Sequence, residues 1–209
     1  MHARLRRPTA NRLIAGIIAA ATAASTLLTA AVPANAEPRV VAPRSGEAGG
    51  TFSFRTANGI LPTWESDGLR LTGVSPGRAI TNAMGTSAVV TLPIVNRAGS
   101  TNFASGGFRL TNIQTGDFVN CATPAIDTRA RIVDCAMRDG SNAQLLRMER
   151  ITTRRIVRGA LSTTLIWSGI ALRIADQSAA DFLNEELGTN VLSPYVTFAT
   201  GELTVVRDN

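Results

Sequence analysis

Residues able to carry out covalent chemistry are scarce in this chain. In 209 residues there is one histidine, His2, there are two cysteines, Cys121 and Cys135, and there is no lysine. A serine nucleophile needs a neighbouring base, and beyond residue 2 neither imidazole nor amine exists to serve as one. Arginine keeps its proton in any protein environment, so it supplies neither a Schiff base nor a general base. Zinc sites built on His and Cys fail for want of ligands. Carboxylates and carbonyls can hold calcium, but the acids are scattered and no D-x-D-x-D-G loop occurs. Two opposed carboxyl groups are what a glycosidase uses, and 15 acidic residues bring some of them together by chance alone. A carboxylate-based hydrolase therefore stays as an alternative. No glycine-rich phosphate loop leads from a strand into a helix. The inventory points to a non-enzymatic protein that needs no cofactor.

What remains is charge. Between Asp139 and Asp176 stand Arg147, Arg150, Arg154, Arg155, Arg158 and Arg173, against one acid, Glu149. Guanidinium forks suit phosphate and carboxylate. A strip of them could dock on an anionic cell-wall polymer or on lipid headgroups; its plainer reading is a solvated strand face. Trp64 and Trp167 are candidates for core or for a binding platform, and the apolar run Leu165-Ile166-Trp167 favours core for the second. Tyr195, the single tyrosine, follows Pro194 and is expected to open the last strand half-exposed.

The amino-terminal segment sets the compartment. Arg4, Arg6, Arg7 and Arg12 precede an apolar stretch from Leu13 to Val32, followed by Pro33-Ala34-Asn35-Ala36-Glu37. Ala34 and Ala36 are the small residues of an A-x-A cleavage site, so residues 1–36 read as a signal peptide rather than a retained anchor. Its removal leaves 173 residues with 17 arginines and 15 acids. That near balance argues against nucleic acid as a partner. No later apolar span is long enough for a membrane helix, so the expectation is a secreted protein, free or held at the cell wall. In an oxidising compartment Cys121 and Cys135 should form a disulfide closing a 15-residue segment, with two short strands meeting around a turn that contains Pro124.

The elements that must position these groups read as mostly β. Residues 37–50, rich in Pro, Gly, Ala and charge, form a flexible leader. From residue 51 to 209 short alternating runs follow one another, as in Gly68-Leu69-Arg70-Leu71-Thr72-Gly73-Val74 and Gly107-Phe108-Arg109-Leu110-Thr111-Asn112-Ile113. Gly, Pro, Asn and Ser separate them, which predicts one antiparallel sandwich or barrel-like domain. One stretch breaks the period. Residues 178–187 read as a short helix, with Ser178 and Asp181 forming a capping box, Gly188 after its end, and Phe182, Leu183 and Leu187 toward the sheet.

Two further stretches carry a resemblance. They are Ser105-Gly106-Gly107-Phe108-Arg109-Leu110-Thr111-Asn112 leading to Pro124-Ala125-Ile126-Asp127-Thr128, and Ile170 to Ala175 followed by Ser178-Ala179-Ala180-Asp181-Phe182-Leu183-Asn184 and Thr200-Gly201-Glu202-Leu203-Thr204-Val205. In this order they resemble the HtaA-like secreted domains of actinobacteria, over the latter half of the chain. The resemblance implies a β domain and, through the haem-capturing members, haem as a ligand. Those members ligate iron through the tyrosine of a Ser-Phe-Arg-x-Tyr-like run on a strand containing Trp, supported by His. The run compared with it here, Trp64 to Thr72, has Thr72 in that place. Tyr195 is the one phenolate left as an axial ligand, so the haem reading is that of a degenerate member of the family.

Overall fold

A computed structural model describes residues 49–209 of the chain. The expected signal peptide, with Ala34 and Ala36, lies outside the described residues, as does the leader up to residue 48. Strand β1 (Gly49–Thr56) already opens at Gly49, so it takes in the end of that leader. It is followed by α1 (Ile60–Ser66), β2 (Leu69–Val74), β3 (Arg78–Thr81), β4 (Ala88–Ala98), β5 (Thr101–Ala104) and β6 (Gly107–Asn112). The remainder is β7 (Phe118–Asp127), β8 (Ile132–Ala136), β9 (Asn142–Arg150), β10 (Thr153–Arg158), β11 (Ser162–Ile174), α2 (Gln177–Leu187) and β12 (Ala199–Asp208).

The expected antiparallel architecture is present in its barrel form. Strands β7, β5, β4, β1, β12, β11, β9 and β8 are hydrogen-bonded neighbours in that order, and β8 pairs back onto β7. Closure leaves these eight strands without a free edge. Strands β6 and β2 extend from β7, β3 lies along β4, and β10 lies along β11. The alternation seen in the sequence becomes inside and outside. Along β12, Ala199, Gly201, Leu203 and Val205 are buried while Thr200 and Glu202 are exposed. Phe52, Phe54, Leu92, Ile126, Met148, Leu172 and Leu203 fill the interior, and Trp167 joins them as expected, at 4% exposure.

The disulfide links Cys121 of β7 to Cys135 of β8, and both residues are buried. Its setting differs from the expected hairpin turn. Pro124 lies within β7, where the register with β8 slips between Ala122 and Ala125, and the turn itself falls at residues 128–131. A bulge is one of the few places in a paired strand where a residue without an N–H costs no ladder bond. The disulfide thus crosses the seam that closes the barrel, beside its irregular segment.

One local expectation is corrected. The capping carboxylate of α2 belongs to Asp176. It has an extended backbone, and its Oδ1 accepts the Ala179 N–H at 2.9 Å and the Ser178 hydroxyl at 3.0 Å. Those bonds hold the Asp176 carboxyl below the usual carboxylate range, the Ala179 bond foremost. Asp181 instead accepts from Gln177 Nε2 at 2.7 Å. Gly188 ends the helix in the left-handed region at φ 59°, and Ala179, Ala180, Leu183 and Leu187 form its buried face. Phe182 is only half-buried. Trp64 stands in helix α1 and is buried there together with Leu61, the core alternative of the two read from the sequence.

Candidate functional site

The arginine strip is carried by three strands, the first two joined through a sharp bend, and the fold divides it. Arg147 and Arg150 stand on β9, Arg154, Arg155 and Arg158 on β10, and Arg173 on β11. Arg173 pairs with Glu149 at 3.3 Å, the single ion pair among the described residues, and Thr197 donates to the other oxygen of that carboxylate at 3.2 Å. The remaining five arginines are all exposed. Strand β10 pairs only with β11 among the described residues, and all six of its residues are exposed. The sequence shows no alternation there because no part of this strand is packed against a core. Arginine on such an edge also discourages pairing with a second sheet.

Register decides which arginines share a face. Arg154 stands opposite Trp167, Ile156 opposite Leu165, and Arg158 opposite Thr163, so these three lie on the face that is buried further along the sheet. Arg155 and Val157 point the other way, opposite Ile166 and Thr164. Thr163 also pairs with Arg207 of β12. The guanidinium carbons of Arg154 and Arg97 lie 5.8 and 6.0 Å from the Trp167 ring centroid. Arg97 and Arg207 complete this group yet lie far from the strip in sequence. A signal for Arg207 was the alternation Leu203, Val205, Arg207; nothing comparable pointed to Arg97, which follows a register shift in β4.

Tyr195 does not open the last strand. It lies in a turn ahead of β12 and is 81% exposed. The neighbouring cleft, about 190 Å³, is walled by Ile60, Trp64, Val191, Val196 and Phe198 and holds no charged residue. Behind it the interior keeps an apolar cavity of about 30 Å³ between Trp64, Phe108, Leu146, Leu183 and Phe198. A wider cleft of about 500 Å³ runs between Phe118, Met137, Arg138, Phe182 and Glu186. There Phe118 is approached by two guanidinium groups, Arg109 at 4.3 Å and Arg138 at 5.5 Å, with Arg109 Nε donating to Asn120 Oδ1 at 2.7 Å.

The carboxylates that sense one another are Asp127 and Asp134 on the β7–β8 hairpin. Burial, and then the Asp127 charge, push the Asp134 carboxyl above its ordinary value. Asp127 accepts the N–H groups of Arg129 and Ala130 at 2.8 and 2.9 Å, bonds that pull its own carboxyl down. Neither residue lines a cleft described above. Among the described residues no group of three or more His, Cys, Asp or Glu is placed to hold a metal ion, and no helix is long and apolar enough to cross a membrane. Comparison of the chain with family models, with curated proteins and with solved structures returns no match.

Proposed function

We propose that this chain is an exported, non-enzymatic β-barrel protein that associates with anionic components of the cell envelope through its arginine-bearing strands. The observation that carries the reading is strand β10, where Arg154, Arg155 and Arg158 stand exposed on an open edge with no carboxylate paired to any of them among the described residues. Arginines left unneutralised at a surface attract phosphate and carboxylate polymers through charge-assisted, often bidentate bonds. The disulfide and the A-x-A segment at Ala34 and Ala36 support export.

The alternatives find less support. The residues around Tyr195 do not fit a haem. The adjoining cleft is smaller than the roughly 300–1,000 Å³ of ordinary small-molecule sites, and it offers no cation for the propionates. In addition, Thr72 stands where the haem-binding HtaA-like run would place its tyrosine. For the hydrolase reading, Asp127 is occupied in capping a turn, so it is poorly placed as an acid or a nucleophile.

The test is sedimentation of purified protein with isolated cell walls and with anionic vesicles. Binding should be strong at low salt and released at high salt, because exposed ion pairs are screened beyond about 10 Å at 0.1 M. A variant with Arg147, Arg150, Arg154, Arg155 and Arg158 replaced by Gln should stay in the supernatant. Binding indifferent to salt, or unchanged in that variant, would overturn the reading.

A further inference from the structure

Guanidinium groups from strands far apart in sequence come together near Trp167: those of Arg97 and Arg154 lie 6.0 and 5.8 Å from its ring centroid, and the charge of Arg207 acts on Arg97. Arg97 comes from β4, Arg154 from β10 and Arg207 from β12. The Arg97 side chain is held in place, its Nε donating to the Gly99 carbonyl at 2.9 Å, while its Nη1 is buried with no hydrogen-bond partner. None of the three arginines pairs with a carboxylate among the described residues. Glu202 and Asp208, the acids of β12, alternate onto the face opposite to Arg207. Contact with the indole of Trp167 does not account for the cluster, because both guanidinium distances lie at the outer limit of a cation–π contact. Like charges gathered without a counter-charge, with one donor both buried and unused, are costly unless something negative sits among them.

We propose that Arg97 and Arg154, which meet at Trp167, form together with Arg207 a binding site for a tetrahedral oxyanion, the phosphate group, whether free or carried on a lipid headgroup. Arg97, half-buried and pre-set by its backbone bond, supplies the directed donor; Arg154 and Arg207, both exposed, close on the anion from the rim. Burial and then the charges of Arg207 and Arg154 depress the proton affinity of Arg97 below its ordinary value. This site deepens the envelope-binding reading above and rests on it for the origin of the ligand.

The experiment titrates the folded protein with inorganic phosphate at constant ionic strength, against chloride, and separately with vesicles of phosphatidylglycerol or phosphatidylcholine. Trp167 emission is followed in a Trp64→Phe background, and the thermal midpoint is measured in the natural sequence. A saturable response to phosphate is expected, and it should be weakened about tenfold or more in Arg97→Gln and in Arg154→Gln. Arg70→Gln removes the same charge from an exposed position on β2, away from the arginine-bearing strands, and should leave the response intact. Should Arg97→Gln fail to fold, the exposed Arg154 carries the comparison. A response to phosphatidylglycerol vesicles alone, lost in Arg154→Gln, assigns the site to a headgroup. No saturable response to either source, or equal weakening by Arg154→Gln and Arg70→Gln, overturns the site. Cell-wall association that persists through that result leaves the broader envelope reading standing; a phosphate response without wall association does the reverse.

Discussion

The side chain of Asn112, at the end of β6, spans 75 residues of sequence to reach Leu187 in the last turn of α2. Its Nδ2 donates to the Leu187 carbonyl at 2.8 Å, while its Oδ1 accepts the Gln114 N–H at 2.9 Å. Both residues are buried. The amide thus satisfies one of the carbonyls that a helix end leaves without a partner, and it anchors the turn that begins after β6. Replacing it leaves a buried carbonyl unsatisfied. Asn112→Ala should cost about 2 kcal/mol in urea unfolding, and Asn112→Asp more, since a carboxylate would then face that carbonyl oxygen. A change below about 0.5 kcal/mol would show that water replaces the amide there.

The disulfide between Cys121 and Cys135 closes a segment of 14 residues' separation across the seam of the barrel. Native protein should show no free thiol in a thiol titration, and two once unfolded and reduced. The paired variant Cys121→Ala with Cys135→Ala should lose about 3 kcal/mol, the loop-closure contribution expected for a segment of this length. Equal stability of the reduced and oxidised forms would show that the β7–β8 pairing holds the seam without the bond.

Asp134 and Asp127 respond to pH with opposite signs. The Asp134 carboxyl is raised by burial and by the Asp127 charge, so its favourable contribution is complete below the unfolded value, near 3.8, and is lost as pH rises through the folded value. Asp134→Asn should therefore raise the thermal midpoint at pH 7 and leave it unchanged at pH 3. The Asp127 carboxyl is lowered by the Ala130 and Arg129 bonds, so its contribution is present above the unfolded value and disappears as pH falls through the folded one. Asp127→Ala should lower the midpoint at pH 7 and have less effect in acid. The same sign for both variants at pH 7 would contradict these environments.

Those carboxylates, like the arginine cluster, show what the sequence could and could not reveal. Strands with one packed face announced themselves, as in Gly107 to Asn112, because burial imposes a period of two. The disulfide followed from two cysteines alone in a chain whose amino-terminal segment reads as an export signal. Strand β10 stayed hidden because both of its faces meet solvent, and α1 because seven residues carry only Leu61 and Trp64 as its buried contacts. Ser178 and Asp176 are equally good caps by residue type, and only the extended backbone at Asp176 decides between them. Arg97 of β4 and Arg154 of β10 meet at Trp167 through the tertiary fold, a relationship that spacing along the chain does not encode.

Closeness of backbone to backbone gives the last expectation. Gly107 pairs with Ala122 beside the disulfide, and a Cβ placed there would overlap the Cys121 carbonyl oxygen. The preceding Gly106 has φ 73° and faces the chain near Gly77 just as tightly, which explains on steric grounds why two glycines open β6. Because the obstacle is backbone within a hydrogen-bonded ladder, it cannot rotate away as a side chain would. Gly107→Ala should therefore destabilise by about 1–3 kcal/mol, the range for an inserted methyl that forces backbone to move. Gly49→Ala, at the start of β1 with no atom in reach and no positive φ, is the matched control and should stay within about 0.5 kcal/mol. Equal midpoints for the two variants in chemical denaturation would mean that β6 and β7 separate more readily than this packing allows.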